Sequence, residues 1–256
     1  MRWHNLRRSE LDALDRRTPV VVPVAATEQH GAHLPLGTDT IIIEAVVDRL
    51  DAAFDGRLLI APTLAVGCSE HHMAFPGTLT LGHETFRRWV VDVVESVVRH
   101  GFRRILLLNS HGGNSAICGV LGEQRGQKHP EAEILVTSWF SPCASRLKHL
   151  QDGPLGSVGH ACEFETSILQ AVRPEIVDMA SAEDDGIQHR VEAMHFDLLH
   201  AAAASCYRPF DKLSKTGVFG SPSLASAEKG ERVLAEAVAA LHDLIGRFWM
   251  DFAENP

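Results

Sequence analysis

The chain has 256 residues, 24 of them basic and 33 acidic, which gives a formal charge of −9, and it carries 15 histidines. With 45% hydrophobic and 22% charged residues it has the composition of an ordinary folded protein, which excludes a disordered or fibrous chain. The negative balance, with no lysine- or arginine-rich run, argues against nucleic acid or an anionic membrane surface as a partner.

The first residues, MRWHNLRRSELDALDRR, are charged throughout and hold no apolar stretch of the kind a secretion signal needs. The first apolar run, residues 19–26, is too short to span a bilayer. Residues 19–25 (PVVVPVA) are β-branched and apolar, which predicts a strand buried on both faces. A helix is expected from Asp39 (DTIIIEAVVDRLDAAF), then a short strand over residues 57–62. From His83, Phe86, Trp89, Val90, Val93, Val94, Val97 and Val98 recur at helical spacing, and Gly101 closes the run. A third strand is predicted over 104–109 (RILLLN), followed by a Gly-Gly-Asn-Ser turn and a helix, and a fourth over 133–139 (EILVTSW). From Ser226, Val233, Leu234, Ala237, Val238, Leu241 and Ile245 share one helical face. Without repeats or a long linker, one domain over 1–256 is expected, and strands alternating with helices predict a three-layer α/β/α sandwich around a mostly parallel sheet. The five cysteines, Cys68, Cys118, Cys143, Cys162 and Cys206, are odd in number and lack C-x-x-C spacing, which argues for a reducing, cytoplasmic setting.

Sites in open α/β sheets lie beyond the carboxyl ends of the strands, and polar clusters follow these strands. After the first comes TEQHGAHLPLGTD, residues 27–39, in which Glu28 and His30 are two apart and project together if the segment is extended. With Asp39 they form a set suited to a divalent ion of the zinc, manganese or iron group, although Asp39 could serve only as a helix cap and His30 as a turn residue. After the third strand comes NSHGGN, residues 109–114, with His111 at the strand end; an anion cradle is the other reading of these glycines, but the Lys-Ser/Thr of a phosphate loop is missing. A third cluster, GHACEFETS (159–167), supplies His160, Glu163 and Glu165. Glu163 follows His160 by three, the spacing of one side of a helical turn, and one of the two glutamates is expected to serve only the helix dipole. Ser69 and His72 follow the second strand and are candidate substrate contacts, or else part of an ordinary capped loop. Trp139 is a candidate pocket wall or a core residue. His33, His71, His83 and His100 receive no role.

These segments resemble the creatininase family of metal-dependent hydrolases. The resemblance is carried by Glu28-Gln29-His30-Gly31 through Asp39, by Asn109 to Asn114, and by His160 to Ser167. Ser69-Glu70-His71-His72 with Phe75-Pro76-Gly77-Thr78, and Gly217-Val218-Phe219-Gly220, add to it. It implies a two-metal site with Glu28 and His111 on one ion, His30 on the other and Asp39 bridging, and zinc as the first expectation, manganese or iron as the others. In creatininase a glutamate two positions beyond the histidine matching His111 completes the second site; here that position is Gly113. Glu163 is the expected replacement and Glu165 the fallback.

Two ions about 3.5–4 Å apart lower the pKa of a shared water toward about 7, so hydroxide is available at neutral pH to attack an amide carbonyl. His160 is expected to protonate the leaving nitrogen. The expected activity is cleavage of a C–N bond in a small-molecule substrate: a cyclic amide, a formamide or a small peptide. Hydrolysis of a C–C bond in a cyclic polyol ketone is the alternative, and an inactive metal-binding scaffold is a third reading. The resemblance also implies a homo-oligomer, a hexamer in the family, with Phe248-Trp249-Met250 either at an interface or packed on the sheet.

Overall fold

The computed structural model describes residues 1–186, 196–200 and 202–250. Its central sheet has four strands, β1 (Val20–Val24), β2 (Leu59–Ile60), β3 (Arg104–Asn109) and β4 (Glu133–Ser138), in the order β2-β1-β3-β4. All three pairings are parallel. The register sets Val24 opposite Asn109 and Asn109 opposite Ser138, so β1, β3 and β4 end level with one another. The segments that leave these ends therefore emerge along a single rim.

Alternation along the strands divides the core between two faces. Val21, Ala25, Leu106 and Leu108 pack with the buried faces of α2 (Thr38–Ala53), α6 (Glu163–Val172) and α7 (Ala227–Ile245). Val20, Val22, Val24, Ile105 and Leu107 pack with α3 (His83–Arg99) and α4 (Ser115–Lys128). With two short helices, α1 (Arg8–Asp12) and α5 (Ala144–Leu147), this is the expected α/β/α sandwich. In α3 the residues Phe86, Val90, Val94, Val97 and Val98 are buried, whereas Trp89, expected on the same face, lies at its margin and is exposed. Gly101 closes the helix at φ +94, a conformation that costs glycine little. Phe86→Ala removes a fully buried ring and should destabilise the fold by about 3–5 kcal/mol in denaturant unfolding.

The predicted second strand shrinks to the two residues of β2, because its pairing with β1 covers only Leu59 and Ile60. A short antiparallel pair, β5 (Val158–His160) with β6 (Phe219–Gly220), is a further element that the sequence pattern does not announce. Trp249 is buried in the core on the α2/α7 face, so at that residue the C-terminal stretch packs inward, while Phe248 is exposed and the side chain of Met250 lies outside the described residues. Cys68, Cys118, Cys143 and Cys162 are buried free thiols and Cys206 is an exposed one. Among the described residues no helix is long and apolar enough to cross a membrane.

Candidate metal centre

Six elements converge on the rim. The loop after β1 brings Glu28 and His30, and Asp39 is the second residue of α2. A 3-10 turn over Glu70–His72 brings His72, and the exit of β3 brings His111. His160 ends β5 and Glu165 lies in the first turn of α6. All seven side chains belong to residues no more than 6% exposed. His111 Nδ1 lies 3.2 Å from Glu28 Oε1 and 3.7 Å from Asp39 Oδ2. His72 Nε2 and His160 Nδ1 lie 3.4 and 3.6 Å from the same Glu28 oxygen, and His30 Nε2 lies 3.9 Å from Glu165 Oε1. Glu28, His30 and Asp39 can converge on one ion, as can His30, His160 and Glu165, their ligand atoms lying within 4.8 Å of one another.

Hydrogen bonds from outside the cluster decide which atoms face inward. His30 Nδ1 donates to the Glu28 carbonyl at 3.1 Å, and His111 Nε2 to the Cys68 carbonyl at 3.1 Å. Each ring is thereby left with its other nitrogen toward the carboxylates, the arrangement that a backbone carbonyl commonly imposes on a metal-ligating histidine. Both oxygens of Glu28, Asp39 Oδ2 and His30 Nε2 are buried without a hydrogen-bond partner. An unsatisfied buried polar group costs about 1–3 kcal/mol, and more when charged. Four such atoms aimed at one another make a site that a divalent cation fits, and the mixed imidazole–carboxylate set suits zinc, manganese or iron.

The charges agree. Burial pushes the Asp39 carboxyl well above the usual carboxylate range, and the neighbouring Glu28 charge adds to this. Burial raises Glu165 as well, with Glu28 contributing. Glu28 goes the other way: burial opposes ionisation, but His111 above all, with His72 and His160, holds its carboxyl well below the ordinary value. For His111, burial works to lower the pKa, yet Glu28 and Asp39 prevail and lift it to about 9. The ring must lose the Nδ1 proton before that nitrogen can ligate. Metal affinity should therefore rise with pH through neutrality until about 9, where metal-free His111 titrates. Calorimetry in buffers of different ionisation enthalpy, which counts the protons released on zinc binding, checks this.

Some expected residues stand elsewhere. Glu163 accepts hydrogen bonds from Lys229 Nζ and from the backbone N–H groups of Asp152 and Gly153, away from the cluster. The i, i+3 argument fails because no helix links it to His160: Ala161 turns at φ +50, and α6 begins at Glu163 itself. Two positions further into that helix, Glu165 faces His30, so the structure brings the fallback and not the first choice to the site. Ser69 is fully buried behind His111, its Oγ 3.4 Å from the outer nitrogen of that ring. Trp139 is a core residue, its ring edge-on to Phe140 at 5.5 Å. Neither Ser69 nor Trp139 lines the cavities around the cluster.

Gly113 has a reason of its own. A Cβ there would sit 2.4 Å from His111 Nε2 and 2.5 Å from the Cys68 carbonyl oxygen, so no side chain fits beside the His111–Cys68 hydrogen bond. Gly113→Ala should weaken zinc binding about 10–100-fold by turning His111, as loss of an orienting partner does; competition with a chelating dye measures it.

Glu28, Asp39, His72, His111, His160 and Glu165 line a chamber of about 30 Å³, which Ser110 and His71 also border. Next to it lies a cavity of about 600 Å³ walled by Phe140, Phe196, Leu198, Leu199, Phe210 and Leu213, with Asp197, His200, Tyr207 and Arg208 also on its wall. The two share His71, Gly112, Gly113, Phe196, Leu198 and Phe210. Phe210 packs on His72 at 4.0 Å and on His160 at 4.9 Å between ring centres. These wall residues come from stretches without helical or strand periodicity, and no sequence signal marks them.

The family model for creatinine amidohydrolase matches residues 4–245. A mycofactocin precursor peptide peptidase of Mycobacterium ulcerans (strain Agy99) is 33% identical over 228 residues, 86% of this chain and 81% of its own. A 3-dehydro-scyllo-inosose hydrolase of Thermotoga maritima is 28% identical over 247 residues, 92% of this chain and 78% of its own. Among solved structures, a mutant creatininase of the Zn-Zn type superposes with a TM-score of 0.81 at 26% identity, covering 97% of this chain and 98% of that one.

Proposed function

The chain belongs to the creatininase family of hydrolases, and on that premise we propose that it is a metal-dependent amidohydrolase cleaving a C–N bond in a short peptide or peptide-sized amide. The observation that carries this reading is the pairing of a small, buried histidine–carboxylate chamber with an apolar cavity of about 600 Å³. A cavity of that size takes several side chains, far more than a single small ring needs.

Glu28 and His111 would hold one divalent ion and His30 and Glu165 the other, with Asp39 between them and zinc the first choice. Bound ions supply activated water at neutral pH and polarise the scissile carbonyl. The protein's own contribution is proton handling and positioning. His160 Nε2 donates to the Gln29 carbonyl at 2.7 Å, so its bare Nδ1 faces the chamber. Burial, with His30 and His72 adding, holds this ring well below the ordinary histidine value, so it is neutral when substrate arrives. Nδ1 takes the proton of the attacking water and returns it to the leaving nitrogen, the two-way role of a general base that becomes a general acid. The walls around Phe196 and Phe210 seat the apolar part of the substrate and exclude bulk water.

The test is a panel of short blocked peptides, cyclic amides, formamides and keto-inositols, assayed with zinc, manganese and iron. Peptide hydrolysis well above the rest is expected; turnover of the ring ketone alone would refute the reading. We also propose a homo-oligomer acting in the cytoplasm, and light scattering reads the assembly.

A further inference from the structure

Gln29 lies between the two histidines that line one side of the chamber, and it is 4% exposed. Its Oε1 accepts from the Gly31 backbone N–H at 3.0 Å, and its Nε2 donates to the Gly217 carbonyl at 2.9 Å. Both partners have fixed polarity. A flipped carboxamide would set N–H against N–H at Gly31 and oxygen against oxygen at Gly217, so the orientation follows from the backbone.

The same Nε2 lies 2.8 Å from His72 Nδ1. An NH₂ group is a donor only, so His72 Nδ1 must accept, and the proton of that neutral ring must be on Nε2. With the two amide hydrogens committed to Gly217 and His72, none is left for His160 Nε2 at 3.2 Å. That nitrogen instead donates to the Gln29 main-chain carbonyl at 2.7 Å. Both rings thus carry their proton on Nε2, but they present opposite ends to the chamber. His72 offers an N–H, 3.4 Å from Glu28 Oε1, and His160 offers a bare Nδ1, 3.6 Å from the same oxygen.

We propose that the Gln29 carboxamide is a tautomer lock that makes His72 a permanent hydrogen-bond donor in the chamber and, with the Gln29 carbonyl, keeps His160 an acceptor. His72 therefore holds no metal ion, although Glu28, His72 and His160 form a cluster of ligand-capable atoms within 4.8 Å. Its Nε2–H serves the oxygen that gains charge when the substrate carbonyl is attacked. The lock also gives the Gly217-Val218-Phe219-Gly220 segment a task. Gly217 sits at φ +84, and a Cβ there would lie 2.0 Å from Gln29 Oε1. Its N–H is tied to Ser214 Oγ, which donates to Asp185, so the carbonyl that aims Gln29 is itself anchored.

The use made of His72 rests on the amide-hydrolysis reading; the lock does not, and the experiment separates them. Neutron diffraction from crystals of the deuterated wild-type protein without substrate should show deuterium on Nε2 of both His72 and His160, with none on Nδ1. Deuterium on His72 Nδ1 would overturn the lock, whatever the substrate proves to be. In Gln29→Glu the carboxylate can only accept, so a neutral His72 carries its proton on Nδ1 and loses its N–H toward the chamber, and neutron diffraction from the variant reads whether Nε2 has lost its deuterium. Against the best peptide of the panel, kcat should then fall about 10²–10³-fold, as for a lost oxyanion donor, with KM and metal content near wild type. Wild-type kcat in a Gln29→Glu protein whose His72 Nε2 carries no deuterium would refute the role given to His72; with deuterium on both ring nitrogens kcat should stay near wild type, and a loss of about 10²-fold there would refute it as well.

Discussion

Replacing His160 with glutamine should leave the metal content unchanged and lower kcat by about 10²–10⁴-fold, the range for loss of a positioned general acid–base. Glutamine retains a hydrogen-bonding group near the Gln29 carbonyl and much of the packing against Phe210, but it cannot carry a proton at neutral pH. The predicted loss therefore lies in proton transfer and not in the shape of the site. The imidazole lies within 4 Å of Glu28 yet is held by Gln29 from behind, so its removal leaves Glu28, His30, Asp39, His111 and Glu165 in place. Elemental analysis and steady-state kinetics on the same preparation check both halves. A variant that keeps its turnover would remove His160 from the chemistry, and one that loses an ion would make it a ligand.

The second large effect separates two glutamates only two residues apart. Glu165→Gln should lose one of two bound zinc equivalents and at least about 10²-fold in activity, because it removes a charged group that the proposed second ion requires. Glu163→Gln should keep both ions and instead destabilise the fold by about 3 kcal/mol, since Lys229, itself largely buried, loses half of its carboxylate partnership. Metal analysis and thermal unfolding on the pair read the two outcomes independently. The opposite pattern, with zinc lost from Glu163→Gln alone, would reinstate the sequence-based expectation for that residue.

Much of this molecule is written in local chemistry. Residues 19–25 and 105–108 are apolar on both faces, and only a sheet covered by helices on each side satisfies such strands. Parallel strands that end level put their exits along one rim, so Glu28, His30, Asp39 and His111 were recognisable as candidates from residue type and from their place after strands, whereas His160 gained its role through the family resemblance. What the sequence could not supply is the direction of a side chain beyond a strand end. The turn at Ala161 with φ +50 sets where α6 begins, and that phase sends Glu163 to Lys229 and Glu165 to His30. Trp139 stands next to Phe140, which lines the larger cavity, yet its own ring lies in the core, and Ser69 sits behind His111.

The composition and charge of the chain pointed to a folded protein and argued against a nucleic-acid partner, its apolar patterning pointed to an α/β sandwich, and the spacing of its polar motifs pointed to a family. Tertiary structure alone decided which glutamate faces His30, why Gly113 must lack a side chain, and which nitrogen of each histidine faces the chamber. The physical reason is that residue identity limits which bonds a group can make, whereas a ligand's direction and a ring's tautomer are set by partners far away in the chain. Gly217 holding Gln29 across 188 residues shows how far that reach extends.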